Sequence, residues 1–226
     1  GIRDKLVTGV QTCALPISLA NGEWCGNPVR PEIANLATPE QRLTGRDGVP
    51  RLLVLGGSRG ALAINKMLPA ALALIAPDQR PQVRHQTGKL HCAETQALYA
   101  AADVSAEVVP FIDQMDEAYG WADFAICRAG ALTVAELTSA GLGALLIPFP
   151  VAIDDHQTVN GQLLVEQGAA LMIAQSDLTA ALLAEQITAL CADSERRLRM
   201  AVNARQLAKT GAAERVADVC LEVVHA

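Results

Sequence analysis

The chain has 226 residues, is 51% hydrophobic but only 3% aromatic, and carries a net charge of -6. The acidic balance argues against a nucleic-acid-binding protein, and six scattered cysteines without a Cys-x-x-Cys pair favour reduced cytosolic thiols over a disulfide framework or metal site. The most apolar stretch, 140–153, is interrupted by Gly and Pro and is shorter than the roughly 20 residues that a membrane-spanning helix needs.

Residues 1–18 differ from the rest because they show no clear helix or strand period and no cap. We interpret them as a leader foreign to the natural protein, since the run resembles translated adapter sequence; a native strand and turn is the alternative. Residues 19–50 become rich in Pro and Gly from Trp24 onwards, which predicts an interdomain linker with one short helix near Pro39–Leu43. Residues 51–226 are expected to form one domain that ends in helices.

From residue 51 onwards, short apolar runs alternate with helical patterns. Strands are predicted at Arg51–Leu55, Gln82–Gln86, Glu107–Val109, Phe124–Cys127, Ala144–Ile147 and Ala170–Ile173. A first helix is predicted after Gly60 and ends near Ile75. Further helices are predicted at Leu90–Ala102, Met115–Tyr119, Ala131–Ala140, Asp155–Gln167 and Leu178–Leu190, and two more amphipathic helices follow. Ser176 or Asp177 is predicted to cap the helix at Leu178–Leu190. This alternation predicts an α/β fold, a doubly wound, parallel, six-stranded sheet of Rossmann-like type.

The stretch Arg128–Glu136 follows a predicted strand and opens a helix. Backbone N–H groups at a helix start lack intrahelical partners and attract phosphate, Gly130 allows close approach, and Thr133 adds a hydroxyl. The Glu136 carboxylate would repel a phosphate and is better suited to accept hydrogen bonds from a neutral diol such as ribose. A phosphate site beside a diol acceptor indicates a nucleotide. An ordinary helix start with a favourable acidic residue is the alternative. Ligands of doubly wound folds sit at the carboxyl ends of the strands, where this stretch lies.

Other nucleotide-binding patterns fit less well. The first turn is Gly-Gly-x-x-Gly, not the dinucleotide fingerprint Gly-x-Gly-x-x-Gly, and no phosphate loop of the ATPase type is present. His85 alone is interpreted as a packed or surface histidine. Asp154 and Asp155 are interpreted as helix N-caps in preference to metal ligands, while His156 and Gln157 suit sugar hydroxyls.

Five ordered motifs carry a family resemblance: LVLGGSRGA, HQTGK, VVPFID, CRAGALTVAE and PFPVAIDDHQTVN. In this order and spacing they resemble the donor-binding half of the MurG family, from about Gly26 to the C-terminus. The resemblance implies one half of a glycosyltransferase of the B type, inverting, without metal or other cofactor. It implies transfer of N-acetylglucosamine from UDP-N-acetylglucosamine to lipid I, giving lipid II for peptidoglycan, by an enzyme peripheral on the cytoplasmic face of the bacterial membrane.

The resemblance also implies roles for individual residues. The family pattern assigns the diphosphate to Ser58 and Arg30, the uracil edge to the backbone of Ile112, and the ribose to Glu136. The remaining positions are helix-start contacts from Ala131, Leu132 and Thr133, and sugar contacts from His156 and Gln157. Arg59, Ala129 and His156 depart from the usual family residues.

The resemblance covers only the donor half of the family. We therefore expect lipid I and the general base to belong to an amino-terminal domain that this chain lacks, and the chain alone to bind UDP-sugar but to turn over poorly or not at all. Two alternatives remain open at this point: another nucleotide-sugar protein of the B type, such as a UDP-sugar epimerase or a different lipid glycosyltransferase, or a non-catalytic nucleotide-binding module.

Overall fold

A computed structural model describes residues 25–57, 61–150 and 155–224. Six parallel strands form one sheet in the order β3-β2-β1-β4-β5-β6. The strands are β1 Arg51–Leu55, β2 Gln82–Gln86, β3 Glu107–Val109, β4 Phe124–Cys127, β5 Ala144–Leu146 and β6 Ala170–Met172. The predicted fold class is confirmed, and the last two strands each end one residue earlier than predicted.

The helices between and after the strands follow the predicted pattern closely. Those of the described residues are α1 Pro31–Ala34, α2 Pro39–Leu43, α3 Leu62–Ala73, α4 Cys92–Ala101, α5 Met115–Trp121, α6 Ala131–Ala140, α7 His156–Glu166, α8 Ala180–Ala192, α9 Ser194–Gln206 and α10 Ala212–Val224. The predicted cap of α8 was wrong. Ser176 and Asp177 lie in a separate 3-10 turn, whereas the Thr179 hydroxyl accepts a hydrogen bond from the Leu182 N–H at 3.1 Å.

Alternate residues of β1 point to opposite faces of the sheet, and both faces are buried. Leu52 and Val54 belong to a core cluster with residues of α3, α4 and α8. Leu53 and Leu55 belong to a second cluster with residues of α5, α6 and α7. A strand buried on both faces has to be apolar at every position, which is why β1 appears in the sequence as a continuous apolar run.

The segment before β1, predicted to be a linker, contacts the sheet domain from Asn27 onwards, where the Asn27 side chain donates to the Ala131 carbonyl at 3.4 Å. Ile33 in α1 is only 1% exposed and belongs to the second core cluster. Arg46 donates a 2.7 Å hydrogen bond to the carboxylate of Asp123, which precedes β4, and that carboxylate also accepts from the Arg51 N–H at 2.8 Å. Residues 1–18 lie outside the described part of the chain, and the predicted domain boundaries stay predictions.

Within the described ranges, no helix combines the length and the apolar character that crossing a membrane requires.

Candidate functional site

The strand order creates a crevice at one edge of the sheet. β1 and β4 are neighbours at the centre of the sheet. After β1 the chain continues to β2 on one side of this pair, and after β4 it continues to β5 on the opposite side. Where the strand order reverses in this way, the loops at the carboxyl ends separate and leave room for a ligand. The loops at this edge begin at Gly56, Thr87, Pro110, Arg128 and Ile147.

Gln86 joins two of these loops. Its side-chain oxygen accepts a hydrogen bond from the Gly57 N–H at 3.0 Å, and its amide group donates to the Gly57 carbonyl at 3.1 Å. The same amide donates to the Pro110 carbonyl at 3.3 Å. Gln86 is 5% exposed, so these bonds are shielded from water. The loop after β1 is thereby held against the loop that leads to Ile112.

The start of α6 presents backbone donors without a protein cap. Gly130 is the N-cap residue and makes no side-chain cap bond, and no acidic residue lies in the first turn. Side-chain caps from Thr38, Thr179 and Asp193 are present in α2, α8 and α9, whereas α3, α4, α5 and α7 have no side-chain cap bond, like α6. A helix start that no side chain caps is available to an anion. The structure thus places the predicted residues Ala131, Leu132 and Thr133 in the first turn of α6.

Glu136, one turn further along α6, has two neighbours. Its Oε2 accepts a hydrogen bond from the Tyr119 hydroxyl at 3.0 Å, and its Oε1 lies 3.4 Å from Arg30 Nη2. The side chain of Arg30 is 51% exposed and that of Glu136 is 23% exposed. Burial, together with the Glu136 carboxylate, raises the pKa of Tyr119 well above its ordinary value. Tyr119 therefore keeps its proton at neutral pH and donates it to this carboxylate.

A cavity of about 250 Å³ opens beside this group. It is lined by Arg30, Glu32, Ile33, Asp113, Gln114 and Asp116. Ile112 directly precedes Asp113 in the loop after β3 and is a partly buried residue that packs against the second core cluster. The structure therefore places Arg30 next to Glu136, and Ile112 directly before a residue that lines the same cavity as Arg30; their roles in binding stay predictions.

Arg128 organises the loops after β5 and β6, a role that the sequence did not reveal. Its guanidinium donates to the carbonyls of Ile147 and Pro148 at 2.9 and 3.0 Å and to the Gln175 side chain at 2.6 Å. It also lies over the Phe149 ring, 5.5 Å from the ring centre. Burial lowers the pKa of Arg128. The signal in the sequence was a lone arginine between an apolar strand and a glycine, which gives no indication of its partners.

Gln157 in α7 contacts the same loop. Its side-chain oxygen accepts a hydrogen bond from the Phe149 N–H at 3.0 Å. His156, the first residue of α7, is half-buried beside it. Asp155 is the N-cap residue of α7, as predicted, but it adopts a left-handed conformation with a φ of 51° and its side chain makes no cap bond.

The structure does not describe every residue that the sequence singled out. Ser58 and Arg59 lie outside the described residues, as does Asp154. The described part of the chain contains no group of three His, Cys, Asp or Glu side chains that could hold a metal ion. His85 is a packed residue, as interpreted, because it is fully buried between Tyr99 and Asn65 at 3.0 and 3.1 Å, and burial lowers its pKa to about 3.

Comparisons with known proteins agree with this geometry. Residues 51–219 match the model of the glycosyltransferase family 28 C-terminal domain. Proteins named UDP-N-acetylglucosamine--N-acetylmuramyl-(pentapeptide) pyrophosphoryl-undecaprenol N-acetylglucosamine transferase are similar to the chain. The protein from Marinobacter nauticus is 55% identical over 200 residues, which are 88% of this chain and 55% of the relative. The protein from Saccharophagus degradans is 52% identical over 212 residues, which are 94% of this chain and 54% of the relative.

Solved structures show the same similarity. The crystal structure of Acinetobacter baumannii MurG matches with a TM-score of 0.77 and 39% identity, over 84% of this chain and 55% of that chain. The lipopolysaccharide glycosyltransferase WaaG, at 19% identity and a TM-score of 0.60, shares the fold alone. The chain spans about half the length of the curated relatives described above. Because the family model matches residues 51–219, most of its length, this chain belongs to the glycosyltransferase family 28 C-terminal domain family.

Proposed function

We propose that this chain binds UDP-N-acetylglucosamine and forms the donor half of an enzyme that transfers N-acetylglucosamine to lipid I, giving lipid II. The observation that carries the proposal is the grouping, at one edge of the sheet, of an uncapped helix start, the Glu136 carboxylate and Gln157. The relatives at 52–55% identity carry names that describe this transfer.

The diphosphate is assigned to the start of α6. The backbone N–H groups of Ala131, Leu132 and Thr133 and the Thr133 hydroxyl would donate to it, with Arg30 and Ser58 as further contacts. Negative charge grows on the UDP phosphate as the glycosidic bond breaks. Fixed donors that already point at this position stabilise the charge without reorganisation, so the proposed reaction requires no metal ion.

The rest of the donor is assigned to the neighbouring loops. Ile112 would meet the uracil edge through its backbone, and Glu136 would accept hydrogen bonds from the ribose diol. His156 and Gln157 would contact the N-acetylglucosamine hydroxyls, next to the loop that Arg128 holds. In the whole protein, the half that this chain does not match would bind lipid I and supply the general base. The enzyme would lie peripherally at the cytoplasmic face of the membrane.

Calorimetric titration tests the donor assignment. The chain should bind UDP-N-acetylglucosamine more tightly than UDP-glucose and much more tightly than ADP, with equal affinity in magnesium and in EDTA. Tight binding of ADP or NAD would instead contradict the nucleotide assignment. The chain by itself should form no lipid II, and measurable synthesis would contradict the division of roles between the two halves.

The Glu136→Ala variant tests the ribose contact. Loss of a charged hydrogen-bond acceptor should weaken UDP binding by about 1–3 kcal/mol. Glu195→Ala is the matched control, because the Glu195 side chain is 87% exposed on α9 and lies outside the proposed site. Equal UDP affinity in Glu136→Ala and Glu195→Ala would remove the diol role.

A further inference from the structure

The two oxygens of the Glu136 carboxylate have different environments. Oε2 is bonded to the hydroxyl of Tyr119, a residue in α5 that is 0% exposed. Oε1 is next to Arg30, whose side chain is 51% exposed. A bond to a buried, packed side chain is permanent, whereas a contact with a half-exposed arginine exchanges readily with a ligand. One oxygen is therefore held by the core and the other is available.

The helices that carry Tyr119 and Glu136 are joined by a single guanidinium. Arg42 donates to the Tyr119 backbone carbonyl at 3.2 Å, and to the Ala140 and Gly141 carbonyls at the end of α6 at 2.5 and 2.7 Å. These bonds hold the ends of α5 and α6 at a fixed separation. The distance between the phenol and the carboxylate is thus defined by two packed helices and does not depend on a loop.

We propose that Tyr119 is a positioning residue that makes the site selective for ribose over 2′-deoxyribose. The hydroxyl holds Oε2 of Glu136, so that Oε1 faces the ligand and accepts hydrogen bonds from the diol. The bond removes rotamer freedom from Glu136 before the ligand arrives, which lowers the entropy cost of binding. The inference rests on the proposed function, because it needs Glu136 to face a nucleotide ribose.

Two isosteric variants test it by calorimetry with UDP and 2′-deoxy-UDP. Tyr119→Phe removes only the hydroxyl and should weaken UDP binding roughly 5-fold while changing 2′-deoxy-UDP binding less than about 2-fold. Tyr99→Phe is the matched control. Tyr99 is also buried, at 3% exposed, and its hydroxyl contacts His85 and not Glu136. Tyr99→Phe should leave the ratio of the two affinities unchanged.

A double-mutant cycle separates positioning from general loosening. In the Glu136→Ala background, Tyr119→Phe should produce no further change in the affinity ratio, because the group that it orients is gone. A merely structural role would lower the affinity for both ligands equally in either background.

A fluorine signal gives a readout that does not depend on the folding of Tyr119→Phe. The chain contains two tyrosines, so 3-fluorotyrosine labelling yields two resonances, which Tyr99→Phe assigns. The Tyr119 resonance should shift on adding UDP and shift less on adding 2′-deoxy-UDP. Equal affinity ratios in both Phe variants, or equal shifts with both ligands, would overturn the inference. Failure of the unmodified chain to bind UDP would instead overturn the proposed function.

Discussion

Replacing Arg42 by alanine should destabilise the domain strongly, although Arg42 belongs to the segment that precedes the sheet. Its guanidinium donates four hydrogen bonds, all to backbone carbonyls. Three of the acceptors lie at the ends of α5 and α6, 77 to 99 residues away in sequence. Burial lowers the pKa of Arg42 to about 10, helped by the nearby Arg46 and Arg205, so the group stays charged at neutral pH.

The magnitude follows from these bonds. A hydrogen bond to a charged group contributes about 1.5–3 kcal/mol net when it is shielded from water. Arg42 is only partly buried, so the lower end applies to the three distant acceptors, and Arg42→Ala should cost about 3–5 kcal/mol. That is a large part of the roughly 5–15 kcal/mol by which a domain is stable. Arg42→Lys keeps the charge on a single compact donor and should recover only part of the loss.

Urea denaturation followed by circular dichroism measures this effect. Arg199→Ala is the control, because Arg199 is 62% exposed and forms ion pairs with Asp193 and Glu195 at the surface of α9. The control should change the free energy of unfolding by less than about 0.5 kcal/mol. A loss below about 1 kcal/mol for Arg42→Ala would show that the segment before β1 does not contribute to the folded domain, and would refute the reasoning from the bonds.

Two further predictions concern the helix start and the buried histidine. Gly130→Asp supplies a side-chain cap for α6 and should raise the stability by only roughly a few tenths of a kcal/mol, because glycine is itself tolerated at an N-cap. It should weaken UDP binding at least about 10-fold because its carboxylate occupies the anion position. The neutral cap in Gly130→Ser should bring a similar small stability gain with a smaller loss of affinity, and equal affinities would contradict a phosphate at this helix start. His85 stays neutral in the folded chain, with a pKa of about 3 against an ordinary value of 6.5. The unfolded state therefore binds more protons below pH 6.5, so stability is full above that pH and is lost as the pH falls towards 3. Between pH 7.5 and 5.5 this loss should be about 1.4 kcal/mol by chemical denaturation, and His85→Gln should remove it; an unchanged pH dependence in the variant would contradict the assignment.

Local patterns were sufficient for the secondary structure of the sheet. The strands β1 to β4 and the helix α6 have the predicted bounds. Buried parallel strands are short apolar runs, which β1 and β4 are, and α6 begins directly after Gly130 and ends directly before Gly141. The errors fall where two local signals compete. Ser176, Asp177 and Thr179 are all good caps, and the 3-10 turn that uses the first two left Thr179 at the start of α8.

The sequence by itself therefore determined the succession of strands and helices along the chain. It also identified Gly130, the glycine at the start of α6. Both depend on residues that are neighbours along the chain. Only the tertiary structure decided that Tyr119 holds Glu136, that Arg128 binds the loops after β5 and β6, and that Arg42 joins α5 to α6. These are contacts between side chains and partners on separate elements. Their geometry is set by how helices and strands pack on a shared sheet, and no short-range pattern of residue types encodes that packing.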